Sequence, residues 1–145
     1  MKKILLVLLL AVGVFGAELK TQDSICKAVE VAKQKDKPIM FVITRENCKY
    51  CKILKTKTLK DKKLVDELNK NFVVVIVNYD KGDYIPASLV NVRGVPAIWF
   101  LYKNGYSMYQ DAGGAPQKID LFLEMLDGVK KRYKEISDMM KKGHK

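Results

Sequence analysis

Apolar and polar positions alternate along the chain with two periods. Residues 22–35 place Ile25, Ala28, Val29 and Ala32 at i, i+3, i+4 and i+7 with lysines between them, the spacing of one face of an amphipathic helix. Lys37-Pro38 ends it, because the residue before a proline is pushed out of helical geometry. Pro38 to Thr44 (P-I-M-F-V-I-T) is then a short unbroken apolar, β-branched run, the pattern of a parallel strand buried on both faces. A helical stretch covers about 48–69 and breaks near 58–61, where Asp61 is placed to cap a second piece burying Leu64, Val65 and Leu68. Phe72 to Tyr79 (F-V-V-V-I-V-N-Y) is the strongest strand pattern, closed by the turn residues Asp80-Lys81-Gly82-Asp83. Ala97 to Tyr102 predicts another strand, Lys103-Asn104-Gly105 a hairpin turn, and 106–110 the returning strand. From Pro116 a last helix carries Ile119, Phe122, Leu126, Val129, Tyr133 and Ile136 along one face, with Lys130, Lys131 and Lys134 largely off it. Helices and strands therefore interleave in the manner of an α/β domain, without internal repeat, low-complexity tract or linker.

Length and composition agree with one such domain: 145 residues, 48% hydrophobic and 30% charged, enough apolar material for a core and too little bias for a disordered or collagen-like chain. The formal charge of +11 is almost entirely lysine, since Arg45, Arg93 and Arg132 are the sole arginines. Such an excess invites a nucleic-acid partner, and the N-terminus argues against one. Met1-Lys2-Lys3 is a short basic start, Ile4 to Phe15 an apolar run without a charge, and Gly16-Ala17 a small-residue end before an abrupt polar turn at Glu18. The run is short of the about 20 residues a membrane span needs and has the plan of a cleavable secretory signal. Cleavage is expected after Gly16 or Ala17, leaving residues 18–145 as one exported domain, with the periplasm as its compartment. An uncleaved N-terminal anchor is the competing reading, and it too would leave the domain outside the cytoplasm. Loss of residues 1–17 leaves 25 basic against 16 acidic residues, a net +9, so the charge becomes a surface property and nucleic acid is not expected as a partner.

The candidate chemistry sits at Cys48-Lys49-Tyr50-Cys51. Two cysteines three apart after an apolar strand and at the first turn of a helix, with Asn47 as expected N-cap, place one thiol where backbone N–H groups and the helix dipole favour the thiolate. Cys48 is the expected nucleophile, its pKa depressed, with Lys49 adding a nearby positive charge. Cys51, one turn further in and facing the sheet, is poised to resolve a mixed disulfide formed at Cys48. A c-type haem site would need His where Lys52 stands. A structural zinc site would need two further ligands, for which the chain offers Cys26 and His144, the latter expected to be a solvated tail residue. A disulfide with a purely structural role stays open as the alternative. A second signal is Val92-Arg93-Gly94-Val95-Pro96 directly before the strand at 97–102: a proline that opens a buried strand marks a special turn, and a cis Val95–Pro96 bond would suit it.

The CxxC after a strand, together with R-G-V-P-A-I-W-F-L-Y-K-N-G at 93–105, closely resembles the thioredoxin superfamily, in particular exported thioredoxin-like proteins whose CxxC is followed by Lys. The resemblance covers about 20–138. It implies a thioredoxin fold with a central mixed sheet of about four strands flanked by helices, a disulfide-exchange cycle and a cis-proline loop beside the cysteines. It further implies that Val95 offers its backbone to an extended substrate, that Pro96 shapes the groove and keeps metal from the thiols, and that Lys49 and Tyr50 flank the bound segment. The departures are informative. Cytoplasmic thioredoxins carry Trp before the first cysteine and Gly-Pro between the pair, where this chain has Asn47 and Lys49-Tyr50. Their buried acid corresponds to Val42 and their buried lysine to Ile76 or a neighbour, which leaves water or Glu46 to handle the Cys51 proton. Oxidases of the Dsb type carry His where Tyr50 stands, so a reducing or interchange role is expected over strong oxidation. Tyr50 is similar to the tyrosine of glutaredoxins, but a glutathione site has no other support.

The expected function is thus that of a periplasmic thiol:disulfide oxidoreductase acting on exported proteins that carry disulfides or thiols. It would need no cofactor and no metal, and a separate electron donor such as a membrane relay. Its rivals are a dedicated reductant of one partner, for instance an apocytochrome or a sulfur-oxidation carrier protein, and a non-catalytic binding module. Cys26, near the apolar face of the first helix, is expected to be a buried bystander, with a regulatory or intermolecular disulfide as the alternative. Trp99 and its aromatic neighbours are expected in the core and groove wall, and the lysines of the last helix on a solvated face.

Overall fold

The computed structural model describes residues 16–143. The apolar run of the expected signal segment and His144 lie outside the described residues. Among the described residues five strands and four helices follow in the order β1 (Thr21–Gln22), α1 (Ile25–Lys35), β2 (Ile39–Thr44), α2 (Lys49–Thr56), a 3-10 turn (Thr58–Lys60), α3 (Lys62–Asn71), β3 (Val73–Asn78), a second 3-10 turn (Tyr79–Lys81), β4 (Ala97–Leu101), β5 (Gly113–Gly114) and α4 (Ile119–Lys142). The sheet order is β1-β3-β2-β4-β5. β1, β3 and β2 run parallel, β4 lies antiparallel to β2, and β5 antiparallel to β4.

All six residues of β2 are buried, as a central strand covered on both faces requires. Because side chains alternate across a sheet, Met40 and Val42 enter one core and Ile39, Phe41 and Ile43 the other. The first core is completed by Leu54 of α2, Leu64 and Leu68 of α3, and Phe122, Leu126 and Val129 of α4. The second is closed by Ile25, Ala28 and Ala32 of α1. Each fully buried large side chain here stabilises by about 1.5–3 kcal/mol relative to exposure.

Local chemistry sets the ends of the elements. Ser24 caps α1, accepting from the Lys27 amide at 3.2 Å, so α1 starts at Ile25 and the residues before it are free to form β1 against β3. That two-residue strand is too short to leave a periodic trace and raises the sheet from the expected four strands to five. The break expected near 58–61 is present, and Asp61 caps α3 by accepting from the Leu64 amide at 3.1 Å. The expected hairpin is only half formed. Gly105, at φ 90°, turns the chain with its amide on the Tyr102 carbonyl at 2.8 Å. The return then yields a single bridge, Leu101 to Ser107. Ser107 is the reason: its hydroxyl donates to the Tyr109 carbonyl at 2.6 Å and accepts from the Tyr109 amide at 3.2 Å, a local turn that replaces ladder bonds. The strand that does pair with β4 is Gly113–Gly114.

Asp36 ties three elements together. It ends α1 in the left-handed conformation (φ 51°), and its carboxylate accepts from Lys103 Nζ at 2.6 Å and from the Tyr133 hydroxyl of α4 at 2.9 Å. Those two bonds, Lys103 foremost, hold the Asp36 carboxyl below its usual value of 3.8. A depressed carboxylate contributes stability that is complete above its ordinary pKa and fades as pH falls through the folded value. Asp36→Asn keeps a residue that tolerates the left-handed region and removes only the charge. With the site partly exposed, the loss at pH 7 is expected to be about 1 kcal/mol, a melting temperature lower by about 2–5 °C. Thermal melts from pH 7 down to below about pH 3 are expected to show the gap between variant and wild type closing, because the wild-type carboxylate is then protonated as well.

Candidate redox site

β2 delivers the cysteine pair. Thr44, buried at its end, donates to the Val77 carbonyl at 2.8 Å, which fixes the last residue of β2 against β3. Four residues later the chain reaches the N-cap of α2. The N-cap is Cys48 itself and not Asn47: its backbone is extended (φ −124°, ψ 104°), and its Sγ accepts the Cys51 amide at 3.1 Å. The sulfur therefore occupies the capping position that a Ser or Asp oxygen would take elsewhere. That N–H points straight at the Cys48 sulfur.

Cys51 is fully buried and Cys48 half-buried. The two are joined as a disulfide across a Cα–Cα distance of 5.2 Å. Opposite them the Val95–Pro96 peptide is cis, and the Val95 carbonyl oxygen lies 3.6 Å from Cys48 Sγ. The β2–β4 register explains the meeting: Ile43 pairs with Ala97, so the residues before β4 arrive beside the residues after β2. Tyr50, half exposed, and Pro96 line a common groove of about 480 Å³. Lys49 is exposed, its ammonium 5.9 Å from the Tyr50 ring centre, and is not part of the groove wall.

Three features of the surroundings leave little or no trace in the sequence. The far wall of the groove is Ala112 to Gln117, including the β5 glycines; a run of small residues is its only sequence signal. Arg93 is the single charged residue in the groove lining. The loop leading to Cys48 is clamped by Asp80, whose Oδ1 accepts from Arg45 Nε at 3.0 Å and Nη2 at 2.7 Å, and whose Oδ2 accepts the Glu46 amide at 2.8 Å. The Arg45 guanidinium, followed by that amide, holds the Asp80 carboxyl below the usual carboxylate range. Glu46 itself lies at the surface, 3.6 Å from Lys81 Nζ. Below Cys51, Val42 pairs with Ile76 and Ile98, and neither β2 nor β3 carries an ionisable side chain.

Cys26 corrects an expectation. It is an exposed free thiol, not a core residue. Ile25, Ala28 and Ala32 take the buried stripe of α1, and position 26 lies about 100° around the helix from Ile25, outside that stripe. Among the described residues there is no cluster of His, Cys, Asp and Glu able to hold a metal, and no helix is long and apolar enough to cross a membrane.

A mixed five-stranded sheet between helices, with a CxxC pair at the head of the helix after the central strand and a cis-proline loop facing it, defines a thioredoxin-fold dithiol–disulfide protein. Residues 25–130 match the model of the thioredoxin-like domain, and the chain belongs to that family. Its fold is similar to that of the oxidoreductase DsbH, at 20% identity over 80% of this chain and 87% of that one, TM-score 0.66. It is also similar to a protein of Bacteroides thetaiotaomicron provisionally assigned as a disulphide isomerase (21% identity, 79% and 93% covered, TM-score 0.62). A thioredoxin from Thermus thermophilus shares 24% identity over 79% and 87% of the two chains, TM-score 0.55. At such identities the likeness is one of fold. The comparison with curated proteins gives no match.

Asp80 holds the Cys48 loop from outside the core, so Asp80→Ala is expected to leave the melting temperature nearly unchanged. Hydrogen exchange at the amides of residues 46–48 is expected to rise several-fold, because their opening no longer breaks the clamp. Exchange unchanged from wild type would show that the loop is held by something else.

Proposed function

We propose that this protein is an exported, periplasmic thiol:disulfide oxidoreductase that works as a reductant or interchange catalyst on other exported proteins. The observation that carries the proposal is the arrangement at Cys48: a half-buried sulfur capping α2, receiving the Cys51 amide at 3.1 Å, with its partner sulfur sealed beneath it. One sulfur is presented for attack, the other is shielded from everything except the first.

The cycle follows. The Cys48 thiolate attacks one sulfur of a substrate disulfide; that S–S bond breaks, a mixed disulfide forms, and the departing substrate thiolate takes a proton from water. Cys51 loses its proton and attacks Cys48 Sγ, forming the Cys48–Cys51 bond and releasing the second substrate thiolate, which is protonated in turn. Two electrons pass to the substrate, and a dithiol donor returns them by the same exchange in reverse. Pro96 and Tyr50 bound the groove in which the substrate lies, and the Val95 backbone offers it a strand-like partner. Tyr50 in place of a histidine beside Cys51 supports the reducing or interchange direction, because it supplies no positive charge to hold the reduced pair. The apolar N-terminal run ending at Gly16-Ala17 supports export and cleavage there.

Two variants check the cycle. Cys48→Ser is expected to abolish reduction of insulin by dithiothreitol through this protein. Cys51→Ser is expected to accumulate mixed disulfides that non-reducing gels reveal and added thiol dissolves. Full activity in both variants would end the proposal.

A further inference from the structure

The last helix carries more apolar surface than its core contact uses. Phe122, Leu126, Val129 and Tyr133 form the buried stripe of α4. Leu121, Met125 and Gly128, at i, i+4 and i+7, follow one another along a flank about 100° around the helix from that stripe. None of the three is charged, and Leu121 is 53% exposed. The charged residues Asp120, Glu124, Asp127 and Lys131 take the side turned away from the core. Between the Met125–Gly128 flank and β4 lies a cavity of about 310 Å³. Buried Ile98, Phe100 and Val129 form its floor, and Tyr109, its ring 6.5 Å from that of Phe100, stands in its wall.

Gly128 is what leaves this cavity open. In the interior of a 24-residue helix, glycine is the least favourable residue apart from proline, and neither backbone nor packing requires it there. Its φ is not positive, and a Cβ built on it meets no neighbouring element within 4 Å. The cavity also continues the redox groove. Ala112 and Gly113 line both, and along this one segment Tyr109 to Gly113 border the cavity while Ala112 to Gln117 border the groove. β5 is the last strand of the sheet, and its outer edge pairs with no strand among the described residues. A strand edge thus runs beside both concavities, with backbone groups to which an extended chain can pair.

We propose that the cavity beside Gly128 is a second binding site for substrates. An extended segment lies along the outer edge of β5, its cysteine in reach of Cys48 at one end, and sets one bulky apolar side chain (Phe, Leu or Met) into the cavity at the other. The continuity of cavity and groove argues for this occupant, as does the apolar lining, in which Asp111 is the one charged residue. The inference rests on the oxidoreductase reading and adds its substrate class: extended protein segments with an apolar residue a few positions from the cysteine. Burial of that side chain, away from the reacting sulfurs, holds ground state and transition state alike, so it lowers KM and leaves kcat unchanged.

The test uses a peptide disulfide with serines around its cysteine, and a series in which one Phe replaces a serine at each position from two to about eight residues away on either side. The wild-type protein reduces them with dithiothreitol as donor, the uncatalysed rate being subtracted. Phe is expected to lower KM about tenfold at one position, and little at the two adjacent ones, because successive side chains of a strand point to opposite faces. Gly128→Leu fills the cavity from an exposed helical position, so its circular dichroism is expected to be unchanged and its melting temperature equal or higher. In that variant the Phe and all-serine peptides are expected to share one KM. Redox-inert peptides, with Ser for Cys, give the affinity alone by calorimetry and are expected to show the same dependence on position. If no position of Phe lowers KM, or if Gly128→Leu leaves the gain intact, the docking inference falls and the oxidoreductase reading stands. If no peptide is reduced while the inert Phe peptide binds the wild type and not Gly128→Leu, the reverse holds. Equal peptide affinities, with a dimer in sedimentation that Gly128→Leu dissolves, would assign the cavity to a second copy of the chain and overturn the inference.

Discussion

The structure depends on β2 being buried on both faces while pairing on both edges. Its backbone is satisfied by β3 on one side and β4 on the other, and its side chains supply both cores. A strand so enclosed can only be parallel to one of its neighbours through a crossover, and here the crossover is α2 and α3. That crossover has to begin at the carboxyl end of β2, which is where open α/β sheets place their ligand sites. β4, running the other way, brings Val95-Pro96 to the same end. The meeting of Cys48, Cys51 and Pro96 is a consequence of sheet topology before it is a matter of side chains.

The electrostatics of the site divide at Cys48. Inward lie Val42, Ile76 and Ile98 and a buried sulfur, with no ionisable group on the two central parallel strands. Outward lie the Arg45–Asp80 clamp, the lysines of α2 and Arg93. The Cys51 amide points at the Cys48 sulfur, and neither β2 nor β3 carries an ionisable side chain that could accept a proton from Cys51. Such a site is fit for exchange with substrates that enter from the solvent side, and it is not furnished with a histidine to hold the reduced pair.

Much of this was legible in the residues. Unbroken apolar runs marked β2 and β3, because burial on both faces removes polar positions, and Asp61 announced the restart of α3 because a capping carboxylate has a fixed place. The cysteine pair and Val95-Pro96 were readable as motifs. What could not be read involved spatial relations without periodicity: the two-residue strands β1 and β5, the glycine wall of the groove, and the Arg45–Asp80 clamp joining residues 35 apart. Two misreadings have local causes. Asn47 has the right chemistry for a cap, but the chain enters the helix one residue later, where a sulfur can play the same part. Cys26 was drawn toward the core by its neighbour Ile25, although its angular position on α1 faces water.

The central claim is that the Cys48–Cys51 bond is made and broken in function. The most direct measurement is a redox titration of the pair against dithiol buffers, followed by thiol labelling. An exchange catalyst is predicted to have a reduction potential between about −120 and −270 mV, the span of thioredoxin-fold oxidoreductases. A value well below about −300 mV, where structural disulfides lie, would contradict the account.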